Sequence, residues 1–316
     1  MNKLNTSLGK LKVRNPITVA SGTFGLEYGR IMPLHHLGAL VTKTITPQPK
    51  EGNQPPRIYE TECGLLNSIG LQNPGLDSFI KDHIDNYFQL LTAPDGYQVP
   101  LIVSFSGASI EEFAEMLTKL EKVEKIAGYE INISCPNVEK EGISFGVDPE
   151  AVYNLIKELN SKRSPDRELI VKLSPNVTDI TEIAAAAEQG GADSLALINT
   201  VYGMAIDWQT GKTMLKRGFG GYSGNAIKPI ALYNVYKVAQ STKLPLLAMG
   251  GISNWKDALE FFYAGAHMIA VGTANFTNHF ATIEILRDLE KYFDEKDICL
   301  TDIIGKTVDL VRQGQN

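Results

Sequence analysis

The chain has 316 residues, 43% of them hydrophobic and 21% charged, with a formal net charge of −6. This is the balance of a soluble globular protein with a sizeable core, and no run of Lys or Arg points to nucleic acid or an acidic membrane surface. Cys63, Cys135 and Cys299 are widely spaced and never form a Cys-x-x-Cys pair, which argues against a disulfide framework or a zinc site and fits a reducing cytoplasm.

The N-terminal segment has no apolar core of signal-peptide length, and no window approaches the ~18 apolar residues of a membrane span. A cytoplasmic protein whose partners are small molecules or other proteins is expected.

Short apolar runs of strand character recur in chain order at Ile17 to Ala20, Ala39 to Lys43, Leu101 to Phe105 and Tyr129 to Ile133. Four more follow at Leu169 to Leu173, Ser194 to Ile198, Leu246 to Met249 and Met268 to Val271. Between them, helical periodicity predicts helices over Gly75 to Leu91, Ser109 to Lys125 with Ser109 and Glu112 spaced as a capping box, and Pro149 to Ser161 capped by Asp148. The series continues with Asp179 to Gln189, Lys228 to Gln240, Asn254 to Tyr263 and Phe276 to Phe293. Gly128, Gly190 with Gly191, and Gly265 fall where a left-handed C-cap is wanted. Strand alternating with helix means parallel strands, and eight of them predict an α/β fold: one (β/α)8 TIM barrel domain over residues 1–316. An open doubly wound sheet is the alternative.

Two insertions interrupt the alternation at the C-terminal face. Thr46 to Pro74 is rich in Pro, Gly and Asn and too long for an ordinary connection. Tyr202 to Gly221 contains Gln209-Thr210-Gly211-Lys212, which reads as a hairpin turn between short strands.

Chemistry in such barrels stands at the carboxyl ends of the strands. Here those positions carry Ser21, Lys43 with Thr44, Ser104, Asn132 with Cys135, Lys172, Asn199 with Thr200, Gly250 with Gly251, and Gly272 with Thr273. Each alone has a bland account, as a snorkelling lysine, a turn glycine or a helix cap. As a ring they read as one site. The two glycine-bearing ends supply backbone N–H groups without side chains, the usual phosphate cradle. Lys43 or Lys172 could meet a phosphate or an electron-rich ring, or form a Schiff base. None of His35, His36, His83, His267 and His279 occupies these ends, and no metal-ligand spacing occurs, so no metal is expected.

Cys135 is the best candidate for proton transfer or nucleophilic attack. It follows a strand that Pro136 terminates and precedes a charged, glycine-punctuated loop over Val138 to Gly146. A buried structural cysteine is the alternative there, and burial is the expectation for Cys63 and Cys299.

The motifs now assembled resemble the class 1 dihydroorotate dehydrogenases over essentially the whole length. They are SGTFG at Ser21 to Gly25, TKT at Thr42 to Thr44, EGNQPPR at Glu51 to Arg57, NSIGLQNPG at Asn67 to Gly75 and NISCPN at Asn132 to Asn137. KLSPN at Lys172 to Asn176, INT at Ile198 to Thr200, GGYSG with IKP at Gly220 to Pro229, MGGI at Met249 to Ile252 and VGTANF at Val271 to Phe276 complete the set.

The resemblance implies a barrel holding one FMN that oxidises dihydroorotate to orotate in pyrimidine synthesis. It makes Cys135 the base that takes the C5 proton while hydride leaves C6 for the flavin. Lys43, Asn67, Ser68, Ile69, Gly70, Leu71, Asn132, Asn199 and Thr200 would contact substrate and ring. Ser21, Lys43, Thr44, Ser104, Asn132, Lys172 and Ile198 would line the flavin, with Gly224, Gly250, Gly251, Gly272 and Thr273 around its phosphate.

Most motifs resemble class 1B, whose catalytic subunit passes electrons to NAD through a partner subunit carrying FAD and a [2Fe-2S] cluster. Ser104, where that class usually has asparagine, and the segments SFSG at Ser104 to Gly107 and GFGG at Gly218 to Gly221 resemble the fumarate-reducing class 1A instead. A homodimer, or a heterotetramer with the electron-transfer subunit, is implied. Rival readings are a related flavin enzyme acting on dihydropyrimidine bases, a Schiff-base lyase using Lys43 or Lys172, and a non-catalytic barrel.

Overall fold

The computed structural model describes residues 3–134 and 145–315. Eight parallel strands form its centre: β1 (Ile17–Val19), β2 (Leu40–Val41), β3 (Leu101–Phe105), β4 (Ile126–Asn132), β5 (Glu168–Lys172), β6 (Ser194–Leu197), β7 (Leu246–Met249) and β8 (Met268–Val271). They pair in the order β1-β8-β7-β6-β5-β4-β3-β2, all in parallel. Gly38 N donates to Ile17 O at 2.8 Å across the remaining gap, so the sheet curls into a nearly closed (β/α)8 barrel. The open doubly wound sheet is excluded.

Strands buried on both faces read as largely apolar runs, which is why most of the eight stood out in the sequence, while β4, carrying Glu130 and Asn132, read as an alternating strand. One face of each packs under the helices; Leu101, Val103, Phe105, Tyr129, Ile131, Leu169 and Val171 belong to that outer core. The other face fills the interior, where Val41, Ile102, Ile170, Ala196, Leu247 and Ala270 meet Leu8, Leu11 and Val13. The last three come from an N-terminal antiparallel hairpin, Thr6–Leu8 with Leu11–Val13, that plugs the amino-terminal end of the barrel and was not expected.

The helices follow their caps. Ser109 Oγ accepts from Glu112 N ahead of the helix Ile110–Leu120, but Glu112 Oε2 accepts from Ala108 N rather than closing the box on Ser109. Asp148, Asp179 and Asn254 cap the helices Pro149–Lys162, Ile180–Gly190 and Trp255–Tyr263 as their sequences require. Gly191 is left-handed at φ 97°, and Gly265 also has positive φ.

Gly128 is a correction. It lies within β4, where an added Cβ would stand 2.7 Å from the Glu168 side chain, so it serves close strand packing and not a cap. The span Phe276 to Phe293 is also two helices, Ala274–Thr277 and Ala281–Lys296, parted where Asn278 Oδ1 takes the N–H of Phe280.

The two insertions join. Ile58–Thr61 and Gly64–Asn67 form a hairpin from the first, Val201–Gly203 and Gly220–Ser223 come from the second, and together they make one four-stranded antiparallel sheet. Within the second, Asp207 N donates to Lys212 O and Ile206 bridges Thr213, so the turn stands where the sequence placed it. Cys63 occupies the turn of the first hairpin and is exposed, and Cys299 is half-buried; neither is the core residue expected. No helix among the described residues is long and apolar enough to cross a membrane.

Candidate active site

The carboxyl ends of the strands and the inserted sheet enclose a cavity of about 730 Å³, within the usual range for a bound cofactor or substrate. Register explains which side chains reach it. Interior positions alternate with outer ones, and pairing aligns Ser104 with Glu130 and Asn132 with Lys172. Asn132 and Lys172 therefore stand side by side at the top of the interior.

Of the residues expected at the site, Ser21, Lys43, Thr44, Asn132, Lys172, Ile198, Asn199 and Thr200 line the cavity from the barrel. Asn67, Ser68, Ile69, Gly70 and Leu71 line it from the first insertion, and Gly224, Gly250, Gly251, Gly272 and Thr273 from the far side.

Ser104 is not brought to the wall. It is fully buried one layer down, sharing a 3.0 Å hydrogen bond with Thr44 Oγ1 and donating to Glu130 Oε1 at 2.8 Å. Cys135 and the loop residues 136–144 lie outside the described residues. Sequence reasoning missed Asn53, Arg217 and Ser223, which also line the cavity. Asn53 and Arg217 sit in the insertions and Ser223 just past the second, where no strand-end rule applies; the EGNQPPR motif was a signal for Asn53 and GGYSG for Ser223.

The polar wall is a connected chain. Lys172 Nζ donates to Ser21 Oγ at 2.9 Å and stands 3.6 Å from Glu130 Oε1. Asn132 Nδ2 donates to Thr44 Oγ1 at 3.3 Å, and Asn199 Nδ2 to Asn132 Oδ1 at 3.4 Å. Side-chain amides held this way still have donor and acceptor capacity for a ligand that offers both.

Lys43 is different. No carboxylate pairs with it among the described residues, and its pKa is held below the ordinary lysine value by burial first and then by Lys172 and Arg57. A half-buried ammonium without a counter-ion suits an anionic ligand. Among the described residues no group of three His, Cys, Asp or Glu could hold a metal.

The first insertion presents a shaped loop. Asn53 N and Nδ2 donate to Ile69 O at 2.9 Å and Ser68 O at 2.8 Å, and Asn73 Nδ2 to Leu71 O at 2.7 Å. These bonds hold Gly70 at φ 78° and Leu71 at φ 55°. The left-handed conformation costs a non-glycine residue on the order of 1 kcal/mol, and strain of that kind collects where a ligand is clamped.

On the far side, Gly251 has φ 76° and an added Cβ would stand 2.8 Å from Lys228 N, so the backbone itself demands glycine. Gly272 is not demanded: a Cβ there would make only ordinary contacts at 3.4 Å from Ala20 and 3.8 Å from Thr23. What a side chain at 272 would fill is the cavity, which fits close approach of a ligand to the backbone. The helix after Gly251 has its first amides taken by Asn254, which accepts from Lys256 N and Asp257 N. What this side of the cavity offers an anion is therefore loop glycines and the Thr273 and Ser223 hydroxyls, themselves 2.8 Å apart.

A family model described as dihydroorotate dehydrogenase matches residues 3–293. The chain belongs to the dihydroorotate dehydrogenase family. Curated relatives include the protein named dihydroorotate dehydrogenase B (NAD(+)), catalytic subunit, of Thermoanaerobacter pseudethanolicus, 49% identical over 96% of this chain and 98% of that one. Proteins of the same name from Desulforamulus reducens and Geobacillus kaustophilus are 47% and 44% identical, over 96% and 97% of this chain and 98% and 96% of theirs. Dihydroorotate dehydrogenases depend on a flavin, and the cavity fits FMN in its donor set: glycines and hydroxyls for a phosphate, lysines and amides for the ring edge.

Proposed function

We propose that this chain is the catalytic subunit of a class 1B dihydroorotate dehydrogenase, a single FMN-binding domain over residues 1–316 that oxidises dihydroorotate to orotate in pyrimidine synthesis. One observation carries the proposal: the Lys43 ammonium, which has no carboxylate partner among the described residues, the amides of Asn67, Asn132 and Asn199 and the loop glycines all line the same cavity. Bound FMN would accept the hydride. Gly224, Gly250, Gly251, Gly272 and Thr273 would hold its phosphate, and Ser21, Thr44, Lys172 and Ile198 would border its ring.

Lys43 and the loop Asn67 to Leu71 would orient the substrate carboxylate and imide edges, excluding water as the inserted sheet covers them. Cys135 would take the C5 proton, which it can do only as thiolate.

Relatives bear the printed names "NAD(+)" and "catalytic subunit", which supports electron transfer to NAD through a partner carrying FAD and a [2Fe-2S] cluster. A homodimer, or a heterotetramer with that partner, working in the cytoplasm belongs to the same proposal. A monomeric mass at working concentration would contradict it.

The test is the visible spectrum of the purified chain before and after anaerobic dihydroorotate. A flavin band that bleaches is expected. A band that does not move removes the substrate assignment, and a colourless protein that stays so after FMN is supplied removes the flavin. Fumarate reoxidising the bleached protein without a partner would point to class 1A, which the Ser104 segment resembles.

A further inference from the structure

Glu130 belongs to none of the roles above, yet its carboxylate stands within an ion pair's reach of Lys172. It lies on β4 two residues before Asn132, on the face turned into the barrel, and is 0% exposed. Its Oε1 accepts from Ser104 Oγ at 2.8 Å and stands 3.6 Å from Lys172 Nζ, while Oε2 has no hydrogen-bond partner among the described residues. A buried ion pair is weak evidence for stability, and a half-satisfied buried carboxylate is unfavourable unless it does something for the site.

We propose that Glu130 is a positioning residue for Lys172, holding its ammonium aimed at the cavity wall, and that it thereby tunes the reduction potential of the bound flavin. The proposal rests on the FMN reading above. Among the described residues, the charged groups facing Lys172 are Glu130 from the adjacent strand and Lys43 across the cavity, with Arg57 acting on Lys43 in turn. Among the same residues Lys43 has no carboxylate partner, and Glu130 is the carboxylate set against Lys172. Its orientation is fixed from below, because Ser104 also bonds Thr44, and Thr44 accepts from Asn132. Ser104 thus acts on the flavin site through Glu130 and Thr44, without touching the cavity.

The experiment measures the reduction potential of bound FMN at one pH in the wild-type protein, Glu130→Gln, Glu130→Asp, Lys172→Met and the double variant, together with FMN titration of each apoprotein. Glu130→Gln leaves the Lys172 ammonium uncompensated and without its anchor, so its potential lies above that of the wild type. In the Lys172→Met background the same substitution moves the potential less, because no ammonium is left to be displaced, and Glu130→Asp, which keeps the charge, returns most of the wild-type potential.

A Glu130→Gln potential equal to the wild type, or a difference of the same size in the Lys172→Met background, overturns the proposal. Should Glu130→Gln alone not fold, the proposal requires the double variant to fold, since the uncompensated charge is then removed; a double variant that also fails overturns it. A wild-type protein that binds no FMN refutes the flavin reading instead.

Discussion

Lys43 offers the sharpest test of how this site is built, because the physics predicts opposite signs for stability and for binding. The ammonium is half-buried, has no carboxylate partner among the described residues, and feels Lys172 and Arg57 as like charges. Lys43→Met removes that unfavourable charge while keeping most of the aliphatic volume. A gain of about 0.5–2 kcal/mol in the stability of the apoprotein follows, the usual size for relieving a strained functional position. The same substitution removes a charge-assisted contact to the ligand, worth about 1.5–3 kcal/mol, so orotate should bind roughly 10- to 150-fold more weakly.

The pH dependence has a sign too. The folded-state pKa lies below the ordinary value of 10.5, so between the two the unfolded chain holds more protons than the folded one. Stability from this site therefore rises with pH across that window, and the rise should vanish in Lys43→Met. Denaturant unfolding of the apoprotein at several pH values and calorimetric titration with orotate read both effects. A variant that is less stable than the wild type, or one that binds orotate equally well, would refute the reasoning.

Other outcomes follow from the same structure. Cys135→Ala should retain the yellow flavin and lose nearly all reduction by dihydroorotate, as anaerobic stopped-flow would show; near-normal reduction removes Cys135 from the mechanism. Glu168, buried where the N-terminal hairpin meets β5, has its carboxyl pushed up to about 7 by burial and secondarily by Asp193, against the opposing bonds from Ser194 and Lys10 N. The raised folded value means its stabilisation is present below the ordinary carboxyl range and lost as pH climbs through about 7, a change on the order of 3 kcal/mol. Glu168→Gln, which mimics the protonated form, should flatten that decline in unfolding midpoints, and an unaltered decline would count against the assignment. Gly251→Ala, forced to φ 76° with its Cβ 2.8 Å from Lys228 N, should cost on the order of 1 kcal/mol or more and weaken FMN retention. A melting temperature and an FMN titration equal to the wild type would show the cradle to be looser than drawn.

Why some of this was legible in the sequence and some was not comes down to what a local pattern can encode. Each barrel strand is apolar on two faces, so β3 as Leu-Ile-Val-Ser-Phe and β6 as Ser-Leu-Ala-Leu stand out without any partner in view. The N-terminal hairpin has strands of three residues, Thr6–Leu8 and Leu11–Val13, too short to carry periodicity. The inserted sheet pairs Asn67 with Gly221, a contact no local window contains.

Glu130 is the most instructive case. Alternation with Tyr129 and Ile131 gives it the look of the outward, solvated member of a half-buried strand. A barrel strand has no such face: its alternate positions point to the helices or to the interior, and Tyr129 and Ile131 already take the helix side. A charged residue in such a strand must then point inward, and near the carboxyl end that means directly beneath the site. The polar ring at the strand ends was recognisable because each member is conspicuous where the strand stops. The layer that holds it in place reads as ordinary strand until the barrel closes, and only then does the carboxylate come within 3.6 Å of Lys172.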